Sequence, residues 1–105
     1  MAEDAMAISS TIEIDSYVVR TLMRDLVGHD RSPSAFLVYL LVSTETASAR
    51  TSLSHAALAQ RTGLSKRACQ NAVALLSRRW LIEISRAAPT EPAQYSALRP
   101  WTKEA

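Results

Sequence analysis

The sequence predicts a mainly α domain with a small antiparallel β-hairpin near its C-terminal end, and three stretches carry that expectation. Ser54 to Trp80 reads as two helices joined by a tight turn at Gly63. Ala35 to Val42 is apolar on nearly every side, as a central helix requires. Leu81 to Arg86 is β-branched and partly alternating, and is followed by a two-proline loop and the returning Gln94–Leu98 segment, so the pair reads as a hairpin. A chain of 105 residues with 48% hydrophobic residues is long enough for one core without disulfide or metal support.

Residues 1–10 are small, polar and acidic, and are expected to form a frayed end. Ile12-Glu13-Ile14 alternates like a short strand, and Asp15 or Ser16 can cap a helix through Tyr17, Val18, Leu22, Leu26 and Val27, with Gly28 as its stop. Val18, Leu22 and Leu26 share one face of that helix, and Val19 and Met23 widen it. The face is wide enough either to pack on the rest of the subunit or to form a dimer interface. Ser32-Pro33 then starts the central helix, because serine caps well and proline suits the first helical position. Being apolar all round, that helix is expected to be covered on all sides. Arg50-Thr51-Ser52-Leu53 is too short and polar for a helix and suits a small first strand.

Ser54 is an N-cap candidate for a helix over Ala56–Ala59, and Gly63 can take the left-handed conformation that ends it. Ser65 can cap a second helix in which Cys69, Ala72, Val73 and Leu76 form one apolar stripe. Its opposite face carries Lys66, Arg67, Gln70 and Asn71. These are cations for phosphate oxygens and amides able to bond base edges. In the hairpin, Tyr95 and Ala97 lie on one face. Residues 1–30 are thus an N-terminal arm and helix, 31–101 the main domain, and 102–105 a tail.

Through Leu58-Ala59, Gly63, Leu64-Ser65-Lys66, the Ala72-Val73 to Leu76 stripe and Leu81-Ile82, the chain resembles the bacterial winged helix-turn-helix DNA-binding proteins. The resemblance covers roughly residues 33–101. It implies a three-helix core plus wing, here with an extra N-terminal helix, and a helix from Ser65 that enters the major groove. Many such proteins have glycine just before the Leu-Ile pair, where this chain has Trp80. A large ring there is expected to lock the wing onto the helix.

The net charge of +2 and pI near 9.0 gain meaning from placement. Glu3, Asp4, Glu13, Asp15, Asp25 and Asp30 precede Arg31, whereas no acid lies between Glu45 and Glu83. Arg50, Arg61, Lys66, Arg67, Arg78 and Arg79 all fall in that acid-free stretch, which points to an anionic partner, most simply double-stranded DNA. The expected DNA-binding residues are Ser65, Lys66, Arg67, Gln70, Asn71, Arg78, Arg79 and Arg86. Glu91 near the wing tip argues against deep wing insertion. The expected dimer interface is Val18, Val19, Leu22, Met23 and Leu26.

No catalytic constellation is visible. His29, His55 and Cys69 are the only histidines and thiol, none at ligand spacing, and two glycines cannot build a phosphate loop. Cys69 on the apolar stripe reads as a small buried hydrophobe. Neither a signal core nor a membrane span is present in the sequence, so a cytoplasmic, nucleoid-associated protein without metal or cofactor is expected. The expected function is sequence-specific duplex binding as a homodimeric transcription regulator, with any small-molecule effector open. The alternatives are a replication or plasmid-maintenance module, or a winged helix serving as a protein-interaction scaffold.

Overall fold

A computed structural model describes residues 11–45, 51–86, 88–90 and 93–101. The expectations for residues 1–10, Arg50, Glu91 and 102–105 lie outside the described residues. The fold is mainly helical with a small antiparallel sheet. A wide-turned N-terminal helix in two pieces, Val18–Leu22 and Arg24–His29, is followed by α1 (Pro33–Glu45), β1 (Thr51–Ser52), α2 (His55–Thr62), α3 (Lys66–Arg78), β2 (Ile82–Ser85) and β3 (Gln94–Ala97). In the sheet, β3 lies between β1 and β2, with Tyr95 opposite both Thr51 and Ile84.

The N-terminal helix begins at Asp15, whose Oδ1 accepts the Tyr17 N–H at 3.0 Å while Oδ2 accepts the Trp101 indole N–H at 3.1 Å. The Tyr17 N–H first, and the Trp101 N–H second, hold the Asp15 carboxyl below its ordinary value. The Tyr17 and Trp101 rings stack with centroids 4.5 Å apart, so the start of this helix is tied to the C-terminal end of the domain. The short strand expected over Ile12-Glu13-Ile14 does not form: residues 11–15 have no regular secondary structure.

Two expectations for this helix are corrected. Its bonds run i to i+5, as in Met23 N–H to Val18 O, rather than i to i+4. Val18, Leu22 and Leu26 all point into the core from this helix, and its second piece packs on α1. Nor does Gly28 end the helix, which continues to His29. The Ser32 N–H bonds the Leu26 carbonyl at 2.8 Å, a closure late enough that the left-handed residue is Arg31, at φ 55°.

Ser32 Oγ accepts the Ala35 N–H at 3.1 Å and opens α1 as expected. Ala35, Val38, Tyr39 and Val42 are wholly buried in a single cluster that also takes in Val18, Leu22, Leu26, Leu58, Cys69, Leu76 and Tyr95. The boundary placed at residue 30 therefore does not separate two cores. Contrary to expectation, α1 is not covered all round. Leu37 is 42% exposed and Leu40 and Leu41 are half-buried, on a flank that borders a cleft shared with Ile12, Ile14 and the end of α2.

Trp80 supplies a further correction. It adopts φ 60°, the left-handed conformation for which glycine is the cheap choice, so the chain reverses after α3 without one. The ring does not lock the wing, since the residue is 75% exposed. A left-handed residue with a Cβ costs roughly 1–2 kcal/mol, and an exposed ring returns little of it. Replacing Trp80 with glycine should therefore leave stability unchanged or raise it by up to about 1 kcal/mol, the entropy of glycine in the unfolded chain offsetting part of the relief. Urea denaturation measures this, and a loss beyond about 2 kcal/mol would show that the ring packs.

Candidate nucleic-acid interface

The unit formed by α2, the turn and α3 is built from local chemistry. Ser54 Oγ accepts the Ala57 N–H and Ser65 Oγ the Ala68 N–H, both at 3.0 Å, so each serine caps its helix. Between them Gly63, at φ 83°, donates its N–H to the Ala59 carbonyl at 2.8 Å. Thr62 completes the corner: its hydroxyl donates to the Leu58 carbonyl at 2.6 Å and accepts the Leu64 N–H at 3.2 Å. The Thr62-Gly63 pair reads in the sequence as a helix stop, but the two bonds of the threonine hydroxyl are seen only in the fold.

Across the helix from the buried Cys69, Ala72, Val73 and Leu76 stand Arg67 and Asn71, and Lys66, Gln70 and the cap residue Ser65 are exposed as well. At about 100° per residue, Arg67, Asn71 and Arg78 project nearest the axis of that outer face, with Lys66 and Gln70 at one flank. Arg78 lies on the same face but roughly 18 Å along the helix from Lys66, so it is a separate contact point. The four residues of the first turns come together as one polar surface at the helix N-terminus, where the peptide dipoles also favour an anion.

The other two cations are held elsewhere. Arg79 forms an ion pair with Asp30, whose other oxygen lies 3.0 Å from His29 Nδ1. Arg79 therefore fastens the end of α3 to the end of the N-terminal helix and is spoken for before any ligand arrives. Nothing in the local sequence marks Asp30 as its partner, 49 residues away. Arg86 is exposed at the end of β2 with an interaction of its own, and stands near Tyr95. Burial pushes the Tyr95 phenol up, and the Arg86 charge works against that shift.

Of the expected dimer residues, Val18, Leu22 and Leu26 lie in the subunit's own core at 3% exposure or less. Val19 and Met23 are exposed, as is Val27 in line with them. No helix among the described residues is long and apolar enough to cross a membrane, and no group of three or more metal-ligating side chains occurs among them. Comparison with protein-family models, with curated proteins and with solved structures gives no match.

Cys69 has no exposure, and its sulfur lies 3.9 Å from Thr62 Oγ1, whose proton is already given to Leu58. A serine hydroxyl at this site sits on a shorter bond and gains no closer partner. Cys69→Ser should cost roughly 1–3 kcal/mol, the penalty of a buried polar group without good hydrogen bonding, as read from the urea midpoint. In the native protein the thiol should resist alkylation, and rapid labelling would require a different phase for α3.

Proposed function

We propose that this chain binds duplex DNA in the manner of a winged helix-turn-helix, without chemistry, as a homodimeric transcription regulator. The observation that carries the reading is the α3 N-terminus, where Ser65, Lys66, Arg67, Gln70 and Asn71 form one exposed surface on a helix held rigidly by two serine caps and a glycine turn. The β1-β3-β2 order supports it as well, because a first strand between α1 and α2 that pairs with the hairpin is what a winged helix requires. Lys66 and Arg67 neutralise phosphates, Gln70 and Asn71 read base edges, and Arg78 touches the backbone further along.

Binding without bound counter-charge on the protein releases cations from the DNA, so affinity falls steeply with salt. Replacing Lys66 and Arg67 together by alanine should weaken duplex binding and flatten the log–log salt dependence by about one unit per lost phosphate contact. Fluorescence anisotropy on a duplex selected from random sequence measures both. An unchanged affinity and slope in a folded variant would overturn the role given to the α3 surface.

A domain of this size spans few base pairs, and pairing two copies on adjacent half-sites is the ordinary route to useful specificity. Because Val18, Leu22 and Leu26 are committed to the core, the face left for a second copy is Val19 and Met23, with Val27 in line. Val19→Glu with Met23→Glu should give a folded monomer, while Leu22→Glu should unfold the chain. Light scattering with circular dichroism distinguishes these outcomes, and a wild-type monomer at micromolar concentration would exclude the dimer.

A further inference from the structure

The cleft on the uncovered flank of α1 has a built chemistry. Ile12 and Ile14, ahead of the N-terminal helix, line a cavity of about 360 Å³ together with Leu37, Leu40 and Leu41 of α1. That volume falls at the lower end of the range of ~300–1,000 Å³ typical of small-molecule sites. Ile12 is 66% exposed, so the walls present apolar surface to water rather than to one another. Three polar residues border it: Thr44 from the end of α1, and Arg61 and Thr62 from the end of α2.

Their hydrogen bonds decide what the cleft accepts. Thr44 Oγ1 donates to the Leu41 carbonyl at 2.9 Å and Thr62 Oγ1 to the Leu58 carbonyl at 2.6 Å, so both hydroxyl protons are committed. The donors left at the border are those of the Arg61 guanidinium, a fork of five N–H groups of which Nη2 meets Glu45 Oε2 at 2.5 Å. Both members of that pair are partly exposed, at 44% and 33%, so solvent screens it and it holds the arginine only weakly. An apolar body with a neutral polar end finds no unused hydroxyl donor among the described residues that border the cleft. One with a carboxylate finds a charge-assisted, planar partner.

We propose that this cleft binds an apolar monocarboxylate, its chain against Leu37 and Leu41 and its carboxylate on Arg61. The site is apart from the α3 surface and does not rest on the duplex reading. The occupant would also touch Thr62, the residue that shapes the turn before α3.

The test is a methyl-detected NMR titration of the full chain with octanoate, kept below its micelle concentration, and in parallel with octan-1-ol. Octanoate should give saturable shifts at the Ile12, Ile14, Leu37, Leu40 and Leu41 methyls and bind about tenfold more tightly than the alcohol. Arg61→Gln, an exposed change that leaves the core intact, should bring octanoate down to the affinity of the alcohol. Glu45→Gln should raise octanoate affinity, because it removes the competing carboxylate. Equal affinities for acid and alcohol, indifference to Arg61→Gln, or shifts confined to other methyls would overturn the proposal. So would light scattering showing self-association that octanoate cannot displace, since a second copy would then be the occupant.

Discussion

The Tyr39 hydroxyl donates to the Leu98 carbonyl at 2.9 Å from a residue that has no solvent exposure. A buried phenol without a partner would cost several times what a satisfied one contributes, so this bond constrains where the chain leaving β3 can run. Burial pushes the Tyr39 phenol up to about 12, so it remains a neutral donor throughout the physiological range. The Tyr39 ring also meets Trp101 edge to face at 6.3 Å, and Trp101 in turn stacks on Tyr17 and bonds Asp15. Through that chain of contacts α1 fixes the exit of the sheet and the entry of the N-terminal helix together. With β3 held, β1 and β2 have one strand to pair with on either side, and α3 packs against β2 and α1.

What could be read in advance follows the range of the interactions responsible. Ser54, Gly63 and Ser65 act within three or four residues of themselves, and the two helices they bound appear where the sequence places them. The apolar stripe of α3 was equally plain, because Cys69, Ala72, Val73 and Leu76 need only a helical period to fall together. The N-terminal helix illustrates the limit: its apolar spacing of four is compatible with two helical windings, and the local pattern does not distinguish them. Leu37 sits in an unbroken apolar run, so no pattern within that run could show that its flank faces a cleft. The ion pairs of Arg61 with Glu45 and of Arg79 with Asp30 join residues brought together only by the fold. Their sequence neighbourhoods carry no trace of them.

Trp80 is the position where local rules and structure part company. Nearly every other turn uses a residue suited to it: Gly63 takes a positive φ without cost, and Ser32, Ser54 and Ser65 cap. At Trp80 a bulky residue takes a conformation that glycine would adopt freely, and the side chain is then left in solvent beside Ile84, which is also exposed. Natural chains tolerate such strain where something other than stability keeps the residue. The strained residue and its exposed ring lie at the opposite end of α3 from Lys66.

The ion pairs also redraw the electrostatics that the sequence suggests. The acid-free stretch between Glu45 and Glu83 looks like one broad basic field, yet two of its arginines are met by carboxylates from outside it. Arg61 is drawn toward the end of α1 and Arg79 toward the end of the N-terminal helix. Lys66, Arg67 and Arg78 carry no acidic partner among the described residues, and the first two sit where the α3 dipole adds to their charge. The α3 cations without an acidic partner among the described residues thus stand at both ends of the helix, Lys66 and Arg67 at the N-terminus and Arg78 at the C-terminus. Arg79, paired with the nearly buried Asp30, is drawn out of that field more firmly than Arg61, whose pair with Glu45 lies open to solvent.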